Sequence, residues 1–183
     1  MRERPLSKPV KDKKNHNWPA FLCNSFGMAL ILLVILLCLP LTVPRLLGYE
    51  IYGIVSGSME PAIPVGSAVY AKQVYPREIA VGEVIVFYGG HDSATIITHR
   101  TVGNDQEDQE LLTKGDANAD NDMLPIAYHN VIGRVELSIP LIGYLLPFVS
   151  GTAGKIYLAG ILGAGVLFQV LGGRLKERSD AEK

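Results

Sequence analysis

The chain has 183 residues, 48% hydrophobic and 19% charged, with a formal net charge of −1. This length suits one domain of ordinary size, the composition excludes a disordered or low-complexity chain, and the charge excludes a global basic field for nucleic acid. The two cysteines, Cys23 and Cys38, lie in one apolar stretch, which excludes a secreted disulfide framework and a CxxC metal pair.

Charge is segregated along the chain. Residues 1–14 carry six Lys/Arg against two acids, and no charged residue follows from Asn15 to Pro44. Residues 45–136 hold thirteen acids and six bases, a net of −7. From Leu137 to Gly173 the only charge is Lys155, and basic residues return at Arg174, Lys176 and Arg178. Apolar blocks flanked by basic segments, with an acidic polar segment between them, describe a membrane protein.

The first block, 20–40, has the length of a helix crossing ~30 Å of hydrocarbon. A cleaved signal peptide competes with that reading. Such a peptide has an apolar core of about 7–15 residues followed by small residues. Here the run is longer and ends Leu39-Pro40-Leu41-Thr42-Val43-Pro44-Arg45, with no small-x-small site. An uncleaved anchor is therefore expected. Lys and Arg remain on the cytoplasmic side, which makes 1–19 a cytoplasmic tail and puts 45–140 outside the membrane. After Leu141–Val149, broken by Gly143 and Pro147, a second membrane helix is expected over 151–173, with Lys155 at its outer end. Residues 174–183 are then a second cytoplasmic tail. Gly160, Gly163 and Gly165 would permit close helix contact. A buried core helix is the alternative for this block. The expected location is the cell membrane, multi-pass, with both termini cytoplasmic and the lipid bilayer as a partner.

The middle segment reads as strands. Short β-rich runs begin at Ser67, Val84, Thr95, Glu110 and Val131, separated by clusters such as Gly89-Gly90 and Gly103-Asn104-Asp105. The expected fold is mainly β: a small all-β extracytoplasmic domain with two transmembrane helices.

Four polar groupings fall in that segment. Ser56-Gly57-Ser58-Met59-Glu60-Pro61 offers hydroxyls in a tight turn, where a serine becomes nucleophilic once a base is in reach and turn amides can face an oxyanion. Thr98-His99-Arg100 ends an apolar run and supplies a base suited to neutral pH. A lone histidine there is also compatible with simple packing. His91 and His129 sit in loop-like surroundings, and His16 belongs to the N-terminal tail. Lys114-Gly115-Asp116-Ala117-Asn118-Ala119-Asp120-Asn121-Asp122 spaces its acids like the first half of a calcium loop. The match then fails, because Asn121 takes the glycine position and Ala127 the bidentate acid position. One of its aspartates could instead orient a histidine. Gly133-Arg134-Val135 reads as structural. Ser, His and Asp in one tethered domain reach as far as a membrane-bound serine hydrolase.

Taken in order, SGSMEP after an N-terminal anchor, Thr-His-Arg about forty residues later, Lys-Gly-Asp-Ala-Asn with a further Asp, and Gly-Arg-Val resemble a type I signal peptidase. The likeness spans about Leu22 to Val135. It is to the branch of archaea, the endoplasmic reticulum and some Gram-positive bacteria, which uses Ser/His; the usual bacterial branch has lysine where His99 stands. The resemblance implies a serine endopeptidase that cuts signal peptides from secreted preproteins after small residues. It implies Ser58 as nucleophile, His99 as general base, Asp122 as third member and Asp116 as a further acid of the catalytic set. Ser56 would supply an oxyanion-hole hydroxyl and Ser58 its amide. No cofactor, metal or nucleic-acid partner is implied, and partner subunits are left open. Between the aspartates, Asp122 is expected to orient His99, while Asp116 is expected to form the loop by accepting amides of its own turn. Two other readings stand beside this one. The first is a non-catalytic membrane-anchored β module whose acidic loop binds calcium. The second is a self-cleaving protease of repressor type, disfavoured by His99 and by the two apolar blocks.

Overall fold

A computed structural model describes residues 18–89 and 95–181. The basic tail at 1–14, His16 and His91 lie outside the described residues. Two long helices bracket a β domain: α1 (Trp18–Leu46) and, after a short helix α2 (Leu145–Ser150), α3 (Thr152–Ala181). Both α1 and α3 are long and apolar enough to cross a membrane, with mean hydropathies of 2.8 and 1.8. Each exceeds its expected span. The basic residues Arg174, Lys176 and Arg178 continue α3 as helix.

Between them lie β1 (Tyr49–Gly53), β2 (Ala68–Lys72), β3 (Val84–Tyr88), β4 (Ile96–Asp105), β5 (Glu110–Lys114), β6 (Ile126–Ala127) and β7 (Val131–Ile139). They form one seven-stranded sheet in the order β1-β2-β7-β3-β4-β5-β6. Every neighbouring pair is antiparallel. The mainly β expectation holds, with two strands more than the sequence pattern marked. Strand β3 is buried on both faces: Ile85 and Phe87 join Ile79, Leu111 and Ile126, while Val86 joins Ile54, Met59, Ile63 and Val69. Its unbroken Val-Ile-Val-Phe-Tyr run suits a strand covered on both sides.

Gly103-Asn104-Asp105, read from sequence as a separator, lies inside β4. The ladder with β5 shifts register between Thr101 and Gly103, and glycine suits such a bulge. The Asn104 amide donates to the carbonyls of Pro76 and Ile79, so a residue of turn type is satisfied within a strand.

The chain divides into two compact units, one of residues 33–160 and the other holding residues 18–32 of α1 and 161–181 of α3. In the first, α1 continues through Pro40 and Pro44. Pro44 has no N–H for the Pro40 carbonyl four residues back. The hydroxyl of buried Tyr70 on β2 donates to that carbonyl instead, at 3.0 Å. Leu41 packs beside it with Ile51, Ala68 and Tyr70. The domain thus satisfies one of the two helix carbonyls that the prolines leave without a backbone donor.

In the second unit, Phe26 meets Phe168 edge-on at 5.0 Å, and the Gln169 amide donates to the Asn24 carbonyl. A Cβ on Gly27 would lie 2.6 Å from the Gly165 carbonyl oxygen. Of the three glycines expected at a helix contact, only Gly165 makes one; Gly160 and Gly163 have nothing within 4 Å of a built Cβ.

Candidate active site

The Ser56–Glu60 turn follows β1. Its anchor is Met59, 1% exposed and packed with Ile54, Ile63 and Val69. The Glu60 amide donates to the Gly57 carbonyl and the Ile63 amide to Met59. At the base of the loop, Ile54 exchanges backbone bonds with Gly66 and Ser67. This leaves Ser56 exposed and Ser58 half-buried, with their hydroxyl oxygens 3.4 Å apart. The Ser58 amide donates to no partner among the described residues, which leaves it available to an oxyanion.

His99 comes from β4, paired in register with Ile85. Phe87 approaches its ring edge-on at 6.3 Å, and its side chain is 11% exposed. Nδ1 lies 2.6 Å from Oδ2 of Asp122. The same oxygen accepts the Thr113 hydroxyl at 2.6 Å, and the Asp122 amide donates to the Thr113 carbonyl at 2.8 Å. With Nδ1 held by a carboxylate, Nε2 is the ring nitrogen free to exchange a proton.

The next residue on β4 faces the other way, as strand alternation requires. Arg100 donates to both oxygens of Asp116, from Nε at 2.8 Å and from its terminal nitrogen at 2.6 Å, and also to the Gly82 carbonyl. The Asp116 hydrogen bonds raise the Arg100 pKa above its ordinary value. Asp116 shapes the loop by holding this guanidinium rather than amides of its own turn, which differs from the expectation. Gly115 packs against the Ser56–Glu60 turn: a Cβ there would stand 2.7 Å from both the Ser58 carbonyl oxygen and the Asn118 side-chain nitrogen. The Ala117 amide donates to the same Ser58 carbonyl at 2.9 Å.

Ser56, Ser58 and His99 line one cleft of about 610 Å³, with Tyr52, Ile54, Met59, Ile97 and Asn118. Its wall is largely apolar. Burial and the hydrogen bond to Glu50 hold the Tyr52 phenol well above its usual pKa, so a neutral ring borders the cleft. The structure therefore brings Ser56, Ser58, His99 and Asp122 to one place, and attaches Asp116 to the neighbouring arginine. Sequence reasoning assigned no role to Thr113, whose only signal was a polar residue at an inward position of β5. It also left Arg100 without a partner.

Asp116 and Asp122 serve different partners, and among the described residues no group of three or more His, Cys, Asp or Glu side chains could hold a metal ion. Gly133-Arg134-Val135 lies in β7, where Arg134 pairs with Glu83 and Glu136.

No family model matches the chain. Over 91 residues it is 38% identical to signal peptidase I W of Bacillus subtilis (strain 168), covering 48% of this chain and 47% of that protein. The chain thus spans about half the length of that relative. Over 127 residues it is 33% identical to the signal peptidase complex catalytic subunit SEC11 of Zygosaccharomyces rouxii, covering 62% of this chain and 74% of the subunit. The SEC11 subunit of Fusarium vanettenii is 36% identical over 128 residues, covering 63% and 73%. Similarity at this level, over this much of the SEC11 subunits, places the chain in the type I signal peptidase family.

Proposed function

We propose that this chain is a membrane-anchored serine endopeptidase that removes signal peptides from preproteins. The observation that carries the reading is the 2.6 Å His99–Asp122 contact beside a cleft that also holds Ser58. Ser58 Oγ attacks the scissile carbonyl and gives its proton to His99 Nε2. The Ser58 amide and Ser56 hydroxyl stabilise the oxyanion, where preorganised donors act most strongly. His99 then protonates the leaving amine. Water, deprotonated by His99, attacks the acyl-serine, releases the acid and regenerates the serine. Asp122 fixes the imidazole tautomer and stabilises its charged form. An extended peptide can add as a strand in the cleft, where shallow apolar pockets favour small side chains.

The reading includes the domain layout and membrane orientation expected from the basic flanks: residues 45–140 outside the cytoplasm and both termini within it. Tethering enzyme and signal peptide to one membrane raises their effective concentration. Association with further subunits belongs to the same reading, because relatives carry that description as subunits of a signal peptidase complex.

The test is cleavage of a preprotein by detergent-solubilised full chain, comparing the native form with Ser58→Ala and His99→Ala. Each variant is expected to abolish processing, and the double variant is expected to be no worse than either, since residues acting as one unit are non-additive. Near-native cleavage by Ser58→Ala removes the proposal. Reporter fusions at residue 120 and at the C-terminus test orientation; an external C-terminal reporter overturns the two-span layout.

A further inference from the structure

We propose that Thr113 is a positioning residue of this site, holding the Asp122 carboxylate so that Asp122 can hold His99. The inference rests on the reading of His99 and Asp122 as the working pair. Thr113 lies near the end of β5 with 0% exposure. It grips Asp122 at two points. Its carbonyl takes the Asp122 amide at 2.8 Å, and its hydroxyl lies 2.6 Å from Oδ2. An ionised carboxylate only accepts hydrogen bonds, so the threonine hydroxyl is the donor. The oxygen it binds is the one that receives His99 Nδ1.

This arrangement has a physical consequence. The Asp122 side chain is 23% exposed and stands at the far end of a loop that leaves β5 at Lys114. Nothing else among the described residues donates a side-chain hydrogen bond to that carboxylate except the imidazole. Without the hydroxyl, the imidazole would have to orient the group that is meant to orient it. Thr113 is the member that comes from a rigid, buried strand, and precision in a site derives from such elements.

Thr101 supplies an internal control. It faces Thr113 across the ladder, is also 0% exposed, and its hydroxyl has no partner among the described residues. It has the same residue type and the same burial but its hydroxyl makes no hydrogen bond to Asp122.

The experiment measures kcat and KM for peptide cleavage by the full chain in detergent, with limited proteolysis as a check on folding. Thr113→Ala and Thr113→Ser both lose the methyl group and differ only in the hydroxyl. Thr113→Ala is expected to lower kcat about 10- to 100-fold, the scale of a hydrogen bond to a charged group, with KM little changed. Thr113→Ser is expected to recover most of the rate. In an Asp122→Asn background, Thr113→Ala should add no further loss, because it acts through Asp122. Thr101→Val should remain within about twofold of native turnover. Equal damage from Thr113→Ser and Thr113→Ala, an additive loss in the Asp122→Asn background, or a Thr101→Val loss as large as that of Thr113→Ala would each overturn the proposal. If Asp122→Asn itself stays active, the underlying reading of the pair fails. If Asp122→Asn is inactive while Thr113→Ala turns over normally, only the role of Thr113 fails.

Discussion

At one end of the loop that follows β5, Asp116 holds the Arg100 guanidinium with both oxygens; at the other end, Asp122 offers one oxygen to His99 and to Thr113. The two acids are of one type and belong to one loop. They are separated by the strand they meet. His99 and Arg100 are successive residues of β4 and so project from opposite faces. One face presents a nearly buried imidazole, and the other a guanidinium with a third of its side chain exposed. A bidentate arginine pair fixes geometry well but cannot exchange protons near neutrality. The strand's alternation, more than the charge of either aspartate, decides which acid meets the imidazole and which meets the guanidinium.

The sharpest way to break this comparison is Asp122→Asn. A neutral amide neither stabilises imidazolium nor keeps the productive tautomer, and turnover should fall by about 10⁴-fold while protease resistance is kept. If Asp116→Asn were folded and inactive while Asp122→Asn remained active, the two roles would be reversed.

Gly115→Ala is expected to come next. Its Cβ would collide with the Ser58 carbonyl and the Asn118 side chain. A shift of the nucleophile by about 1 Å can cost 10²-fold in rate. Peptide cleavage with circular dichroism checks this, and native kcat in a folded variant would show that the turn does not need the close approach.

Asp116→Asn should act mainly on stability. The Arg100–Asp116 pair is intermediate between exposed and buried, so its loss should cost about 1–3 kcal/mol. Turnover should fall in parallel with protease resistance rather than ahead of it. Thermal unfolding beside activity reads the two together.

The smallest effect is expected far from the loop, at Tyr49→Phe. Its hydroxyl donates to Glu136 at 2.7 Å, and that bond is the main cause holding the Glu136 pKa below its ordinary value. A lowered carboxylate pKa contributes stability that is present above the ordinary carboxylate range and is lost as pH falls through the folded value. Tyr49→Phe should therefore return the Glu136 titration towards ordinary and remove a small stabilisation that is present at neutral pH and absent once Glu136 is protonated, with no change in turnover. A carboxyl titration followed by NMR checks it.

Much of this architecture was legible in the chain itself. The two apolar blocks follow from length and hydropathy, since a bilayer demands an uninterrupted run of apolar residues. Five of the strands carried a β-rich run between turn residues, and SGSMEP, Thr-His-Arg and Lys-Gly-Asp-Ala-Asn, taken in order, carried the resemblance that named the candidate site residues. Strand β1 escaped because Glu50 and Gly53 dilute its pattern. Strand β6 escaped because two residues have no period and form a strand only by pairing with Glu110 and Leu111.

Composition and periodicity are local, and they were enough for the two apolar helices and for five of the seven strands. Partners are not local. That Asp122 meets His99 while Asp116 meets Arg100, that Thr113 donates to the same carboxylate oxygen, and that Tyr70 satisfies the carbonyl orphaned by Pro44 all depend on register across the ladder and on segments up to 30 residues apart. Hydrogen bonds form only between groups brought within about 3 Å in the right direction, and that proximity is set when the sheet closes and the loops pack, so only the tertiary structure decided it.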